Sequence, residues 1–120
     1  MSVVTIHVLE DDAAVNDSLV VWLKNMGHDA VAYRSPEQFF QRGPPPGTDT
    51  VIVDLLLPRI SGVAVIKWLQ RLAPPPRIIA ITGQPQSALE ATLRDVAIPK
   101  LLRKPLTGEA ISACLAEELR

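Results

Sequence analysis

The fold of this chain is decided by the stretch Val3-Val4-Thr5-Ile6-His7-Val8-Leu9, which runs directly into Glu10-Asp11-Asp12. A run of β-branched and apolar residues predicts a buried strand, and acids that follow it indicate the carboxyl end of that strand. Apolar residues at helical spacing then extend from Val15 to Met26, and Gly27 follows as a stop. The chain therefore opens with a strand, an acidic loop and a helix.

The same strand-then-helix unit is found four more times along the sequence. The predicted strands cover 3–9, 28–34, 50–53, 77–82 and 98–103, and a helix is predicted after each, the fourth over 86–94. Ser35-Pro36 begins the second helix with a cap and a proline, and Thr107 caps the last. Strands that alternate with helices on short connectors require right-handed crossovers and a parallel sheet. We therefore predict an α/β fold, a doubly wound five-stranded parallel sheet of flavodoxin-like order 2-1-3-4-5 with helices on both faces.

Size and composition narrow the class of protein. With 120 residues, 48% of them hydrophobic and 21% charged, the chain predicts one globular domain over 1–120. A formal net charge of −1 argues against nucleic-acid binding by this segment, because no basic surface is available for phosphates. No apolar leader or membrane-length segment is present, so the expected location is the cytoplasm. The single cysteine, Cys114, is expected to be a buried inert thiol.

The chemistry is expected at the carboxyl ends of the strands, where ligands collect in open parallel sheets. The first strand brings Glu10-Asp11-Asp12 there, the third Asp54, the fourth Thr82 and the fifth Lys104. Crowded carboxylates repel one another unless a cation lies among them. Oxygen ligands, few of them from protein, suit Mg²⁺ that completes its shell with water and a phosphate oxygen.

Asp54 is the candidate nucleophile of this cluster. A carboxylate oxygen can attack phosphorus to give an acyl phosphate when cations screen the charge of both partners. Lys104 would place a positive charge on the transferred group, and Thr82 would donate a hydroxyl to the same oxygens. Phosphoryl transfer needs mainly positioning and electrostatics, which these three residues and a metal can supply.

Four segments together resemble the receiver domains of two-component response regulators, the CheY-like superfamily. They are Leu9-Glu10-Asp11-Asp12, Asp54-Leu55-Leu56-Leu57-Pro58 with Ser61-Gly62, Ile81-Thr82-Gly83, and Arg103-Lys104-Pro105-Leu106, in the family's order and spacing along the whole chain. The resemblance implies that Asp11 binds Mg²⁺ directly, Glu10 binds it through water, and the main-chain carbonyl of Leu56 is a further ligand beside Asp54. It also implies a phosphoacceptor at Asp54, phosphate contacts from Thr82 and Lys104, and a cis bond before Pro105.

The resemblance further implies partners and an output. A histidine kinase is the expected phosphodonor, and phosphorylation is expected to switch the face formed by the fourth helix, fifth strand and fifth helix. That face would form a homodimer or contact an output domain or downstream protein. The expected protein is a phosphoacceptor that dephosphorylates itself slowly, and not an enzyme.

Several positions depart from the family pattern. Leu101 stands where many receivers carry the aromatic residue that turns inward on phosphorylation. Ala97 replaces a common glycine before the fifth strand, and Pro99 predicts a reshaped entry to that strand. Leu56, at a position that tunes dephosphorylation, offers no side-chain hydrogen bond to an attacking water. We therefore expect slow self-hydrolysis.

Three other classes of protein are alternatives. An aspartate-based phosphohydrolase would need a second Asp two residues after Asp54, where Leu56 stands. A flavodoxin-like electron carrier would need a donor-rich phosphate loop after the first strand, where the acids would repel the flavin phosphate. A degenerate receiver that acts as an interaction module regardless of phosphorylation shares the fold, but such receivers normally lack one of the key residues.

Two local features leave alternatives open. Asp12 can be read as an extra acid of the site or only as the N-cap of the first helix. On that helix, Ala14, Val20 and Val21 add apolar surface beyond the stripe that faces the sheet. They predict either a wide buried face or a docking surface for a histidine kinase.

Overall fold

The computed structural model describes residues 4–98 and 100–118 as alternating strands and helices. The strands are Thr5–Leu9 (β1), Asp29–Tyr33 (β2), Thr50–Asp54 (β3), Arg77–Thr82 (β4) and Leu101–Arg103 (β5). The helices are Ala13–Asn25 (α1), Pro36–Arg42 (α2), Gly62–Gln70 (α3), Gln86–Thr92 (α4) and Gly108–Glu118 (α5), with a 3₁₀ turn at Leu93–Asp95. Val3, Pro99 and Leu119, which belong to the predicted first strand, fifth strand and last helix, lie outside the described residues.

The five strands form one parallel sheet in the order β2-β1-β3-β4-β5, which confirms the predicted topology. Leu9 pairs with both Tyr33 and Val53, and Thr82 pairs with Arg103. Because these pairs join residues at or next to the ends of parallel strands, the carboxyl ends of all five strands share one edge of the sheet.

Both faces of the sheet are covered, as predicted. One face packs on α2, α3 and α4 around Leu9, Val53, Phe39, Ile66 and Leu89. The other packs on α1 and α5 around Ile6, Ile79, Leu19, Ile111 and Leu115, with Cys114 buried beside them. The strand residues alternate between the two cores, which explains why the strands are apolar throughout rather than at every second position.

The predicted caps are present at the start and the end of helices. Asp12 accepts a hydrogen bond from the Val15 amide at 3.1 Å, and Ser35 accepts one from the Gln38 amide at 3.2 Å. At the end of α1, Gly27 has a φ of 91° and its amide donates to the Lys24 carbonyl at 3.0 Å. A left-handed residue is needed there, so glycine ends the helix where the sequence predicts.

The fourth helix and the fifth strand are shorter than predicted. The α-helix ends at Thr92 and continues as the 3₁₀ turn instead of reaching Arg94 as one helix. The strand comprises only Leu101–Arg103, although residues from Ile98 on were predicted to belong to it. Since β5 is an edge strand, only the three residues that pair with β4 are held in strand geometry.

The prediction of a wide buried face on α1 is wrong. Ala14 is exposed, Val20 is half-buried and the side chain of Val21 is 55% exposed. The buried stripe of α1 is narrower and consists of Asn16, Leu19 and Leu23. Apolar surface on this helix therefore faces outward. None of the helices in the described part of the chain is both long enough and apolar enough to cross a membrane.

Candidate functional site at the carboxyl edge of the sheet

The acidic loop after β1 places its three acids in different surroundings. Glu10 is completely buried, whereas Asp11 and Asp12 are exposed. Asp12 caps α1, so the capping interpretation of that residue is confirmed. Asp11 and Glu10 are the two members of the acidic pair that the loop brings to the sheet edge.

Asp54 ends β3 and is 3% exposed. Its two carboxylate oxygens have different partners. The Leu56 amide donates to Oδ1 at 2.9 Å, and Lys104 Nζ donates to Oδ2 at 2.9 Å. The carboxylate is therefore held at a fixed angle at the mouth of the site.

Lys104 joins the two buried acids. Its Nζ lies 2.6 Å from Glu10 Oε1 as well as 2.9 Å from Asp54 Oδ2. The backbone amide of Lys104 donates to the Thr82 carbonyl at 2.7 Å, which fixes the start of the loop after β5 beside β4. The peptide between Lys104 and Pro105 is cis, as predicted.

The charges of these groups depend on one another. Burial, together with the hydrogen bond and charge of Asp54, raises the pKa of the Glu10 carboxyl to about 8, although Lys104 opposes the shift. Burial lowers the pKa of Lys104, but its bonds to Glu10 and Asp54 outweigh this and the pKa lies above its ordinary value. One lysine is thus insufficient to stabilise two buried carboxylates as anions.

The donor set of the site fits Mg²⁺. One oxygen each from Glu10, Asp11 and Asp54 can be chosen so that all three lie within 4.8 Å of one another. Three clustered carboxylates are hard oxygen donors, and they favour a hard divalent cation that keeps part of its water. The Leu56 amide borders the site through Asp54, while the role of the Leu56 carbonyl as a ligand stays a prediction. The Leu56 side chain is 56% exposed.

Thr82 lies at the end of β4 and is 1% exposed. The β3–β4 register pairs Asp54 with Ile81, so Thr82 follows the residue directly beside Asp54. Its hydroxyl is bound to the side chain and the backbone of Gln84, at 3.3 Å and 3.0 Å. All residues predicted for the site therefore reach the same edge of the sheet.

Two further residues shape the site: Asn16, which the sequence reasoning missed, and Gly62, which belongs to one of the four segments that carry the family resemblance. The buried amide of Asn16 donates to the carbonyls of Glu10 and Tyr33 at 2.9 and 3.0 Å and so joins the ends of β1 and β2. The sequence contained a signal for the role of Asn16. It lies on the same helical stripe as Leu19 and Leu23, and a polar residue on a buried stripe needs buried partners. Gly62 lets the start of α3 approach the backbone of Asp54 and Leu55.

Comparison with known proteins agrees with this geometry. The family model described as the response regulator receiver domain matches residues 6–116. The chain is 28% identical over 114 residues to the transcriptional regulatory protein FixJ of Azorhizobium caulinodans, covering 95% of this chain and 54% of FixJ. The chain thus spans about half the length of the curated relatives of this kind that it matches.

Solved structures show the same fold at lower identity. A CheY-like receiver domain protein from Methanospirillum hungatei JF-1 superposes with a TM-score of 0.85 at 19% identity, over 98% of this chain and 94% of that one. The BeF3-activated receiver domain of DrrB, a Thermotoga maritima protein, gives a TM-score of 0.85 at 18% identity, over 98% of each chain.

Proposed function

This chain belongs to the response regulator receiver domain family, and we propose that it accepts a phosphoryl group on Asp54 from the phosphohistidine of a histidine kinase. The observation that carries the proposal is the Asp54 carboxylate, buried at the end of β3, with Lys104 on one oxygen and two further acids beside it. An Asp54 oxygen would form the new bond to phosphorus as the bond between phosphorus and the histidine nitrogen breaks.

Mg²⁺ is the proposed cofactor, held by Glu10, Asp11, Asp54 and the main-chain carbonyl of Leu56. When bound, the ion would neutralise charge on the carboxylates and on the phosphoryl oxygens. The fit of the donor set supports this assignment, since the three carboxylates lie together and Lys104 alone leaves the pKa of Glu10 raised.

Lys104 and Thr82 are the proposed phosphoryl contacts. Lys104 Nζ already lies at Asp54 Oδ2, so it can follow the oxygens of an acyl phosphate without leaving the site. Thr82 is next to the Asp54 partner in β4 and carries a hydroxyl that can donate to the same oxygens. Neither residue has to do covalent chemistry, because phosphoryl transfer depends on positioning and charge.

The proposed output is a change in the face formed by α4, β5 and α5, with dimerisation or contact to an output domain as its result. The name of FixJ describes a transcriptional regulatory protein, and this chain spans 54% of it, which supports an output of that class in a longer protein. The proposed phosphodonor, a histidine kinase, implies a cytoplasmic location for the domain. By this proposal the chain is not an enzyme, and its acyl phosphate is lost slowly because Leu56 offers no polar group to an attacking water.

The alternative is a degenerate receiver that binds partners regardless of phosphorylation. The half-buried Leu101 supports it, because an aliphatic side chain replaces the aromatic residue through which many receivers report phosphorylation. The retention of every residue predicted for the site supports phosphorylation instead.

Incubation with Mg²⁺ and acetyl phosphate tests the proposal, with intact mass and oligomeric state followed together. We expect an adduct of one phosphoryl group that requires Mg²⁺ and is absent from Asp54→Asn, whereas Asp29→Asn, an exposed acid of β2, leaves it unchanged.

A dimer that appears with the adduct would support the α4–β5–α5 output. Absence of both the adduct and beryllofluoride binding would favour the degenerate receiver. Decay of the adduct within seconds after removal of the donor would contradict slow self-hydrolysis.

A further inference from the structure

The hydroxyl of Thr82 is already engaged within the protein. It donates to Gln84 Oε1 at 3.3 Å and accepts from the Gln84 amide at 3.0 Å. Thr82 is 1% exposed and Gln84 is half-buried, so these bonds form away from bulk water. In the phosphate-free protein, the hydroxyl that would contact a phosphoryl group is therefore bound to a side chain two residues further on.

The orientation of the Gln84 side chain is fixed by α4. Thr92 uses its single hydroxyl proton on the Ala88 carbonyl at 3.0 Å, so toward Gln84 it can only accept. Gln84 Nε2 donates to Thr92 Oγ1 at 3.2 Å, and this leaves Gln84 Oε1 directed at Thr82. The amide thus bridges the end of β4 and the end of α4.

The backbone of Gln84 is tied to the opposite side of the loop. Arg103 in β5 donates to the Gln84 carbonyl at 2.9 Å and to Gln86 Oε1 at 3.1 Å. The segment between β4 and α4 is therefore joined by hydrogen bonds to Thr82, to α4 and to β5. Of these, α4 and β5 belong to the proposed output face.

We propose that Gln84 is a positioning residue that holds the Thr82 hydroxyl in the unphosphorylated state and releases it to the phosphoryl group on Asp54. This inference rests on the proposed function of Thr82 and Asp54. A hydroxyl has one proton, so Thr82 can donate to Gln84 Oε1 or to a phosphoryl oxygen, but not to both. The two acceptors compete, and Gln84 opposes the phosphorylated arrangement by the strength of one hydrogen bond.

The competition also carries a signal to α4. When Thr82 turns to the phosphoryl group, Gln84 Oε1 loses its donor, and a half-buried amide without a partner is unfavourable. Gln84 then reorients, and its bond to Thr92 is lost or rearranged. The output face responds through these polar side chains, which accounts for a receiver with leucine at position 101.

Beryllofluoride titration in the presence of Mg²⁺, followed by NMR of the full chain, tests the inference. We expect Gln84→Ala and the length-preserving Gln84→Met to bind beryllofluoride between about twofold and tenfold more tightly than wild type, the worth of one hydrogen bond. Gln41→Ala, an exposed glutamine of α2, serves as the control and should leave the affinity unchanged.

The Gln84→Met substitution made in Thr82→Val distinguishes loss of the bond to the Thr82 hydroxyl from a general effect on the loop. In Thr82→Val the hydroxyl is missing, so Gln84→Met added to it should change the affinity no further. Equal gains in both backgrounds, or no gain in the wild-type background, would overturn the role of Gln84 while leaving phosphorylation of Asp54 in place. A wild-type chain that binds no beryllofluoride would overturn the proposed function, and the inference with it.

Discussion

Glu10 is a buried acid of the site with a strongly raised pKa. It is completely buried, it lies beside Asp54, and its pKa is raised from 4.5 to about 8 by burial first and by Asp54 second. In the metal-free protein, Glu10 is therefore protonated at pH values at which it would be ionised in the unfolded chain. Between about 4.5 and about 8, the folded state binds more protons than the unfolded state.

The sign of the pH dependence follows from this difference. The contribution of Glu10 to stability is complete below pH 4.5, and it is lost as the pH rises through about 8. We expect the unfolding temperature in EDTA to fall from pH 6 to pH 8.5, and Glu10→Gln to flatten this fall. Glu109→Gln, an exposed acid of α5, should keep the wild-type slope. An equal slope in Glu10→Gln would assign the pH dependence to other groups.

At the scale of the elements, Gly62 determines how closely α3 approaches β3. A Cβ at this position would lie 2.7 Å from Leu55 Cα and would overlap the Asp54 carbonyl oxygen. The Gly62 amide also donates to the Leu55 carbonyl at 3.1 Å. The start of α3 is therefore in backbone contact with the residues that orient the Asp54 carboxylate.

Replacing Gly62 by alanine should push α3 away from β3. We expect Gly62→Ala to lower the free energy of unfolding by about 1–3 kcal/mol, as overpacking usually does, and to slow formation of the acyl phosphate. Gly108→Ala is the matched control at the start of α5, because a Cβ there meets no atom within 4 Å. Urea unfolding measures the free energy of unfolding of both variants. Equal stability of the two variants would mean that the loop before α3 absorbs the methyl group without strain.

The strands are also joined by a buried polar network at some distance from the site. His7 Nε2 lies 2.8 Å from Asp49 Oδ2, and His7 Nδ1 lies 3.0 Å from the Tyr33 hydroxyl. Asp49 Oδ1 accepts from the Thr5 amide at 3.2 Å. The network connects β1, β2 and the residue before β3.

Removing the acid from this network should leave buried polar groups without a partner. We expect Asp49→Ala to cost about 3 kcal/mol of unfolding free energy. The substitution leaves His7 and the Thr5 amide without their buried partner, and water is not expected to replace it. Asp29→Ala, an exposed acid two strands away, should cost less than about 0.5 kcal/mol. Phosphorylation of folded Asp49→Ala should remain, since Asp49 precedes β3 and the site follows it. A cost below about 1 kcal/mol would mean that water replaces the carboxylate.

For the molecule as a whole, the sequence predicts the sheet order and the gathering of the site residues. The strands and their carboxyl ends follow from local sequence, because a β-branched run followed by Glu10 or Asp54 gives both. The strand order follows instead from the alternation of strands and helices on short connectors. The short β5 could not be predicted in this way, since only the residues that pair with β4 form the strand. The local pattern also does not mark the change from α4 to a 3₁₀ turn at Leu93. Gln84 also bonds residues of α4 and β5, and Asn16 joins the ends of β1 and β2, so these contacts depend on the fold. For Asn16 alone, periodicity gives the hint of a polar residue on a buried stripe.

The packing of the whole domain leaves one side of α1 exposed. Val21 is 55% exposed, and on the same helix Trp22 and Ser18 line a groove of about 270 Å³ whose far wall is Lys104, Pro105 and Leu106. Apolar surface thus continues from α1 to the residue that contacts Asp54. A helical partner that delivers a phosphoryl group to Asp54 would cover this surface, which supports the proposed docking of a histidine kinase here.

A charged residue at position 21 should therefore weaken kinase docking without affecting phosphorylation of Asp54 by a small donor. We expect Val21→Glu to slow phosphotransfer from a phosphorylated kinase by at least about tenfold, because a carboxylate is desolvated on docking, while phosphorylation by acetyl phosphate stays at the wild-type rate. Its unfolding free energy should change by less than about 0.5 kcal/mol, since Val21 is exposed. Leu19→Glu, on the buried stripe of the same helix, should instead unfold the domain. Loss of both reactions together in a folded Val21→Glu would place Val21 in the site, and loss of neither would move the kinase contact to another face.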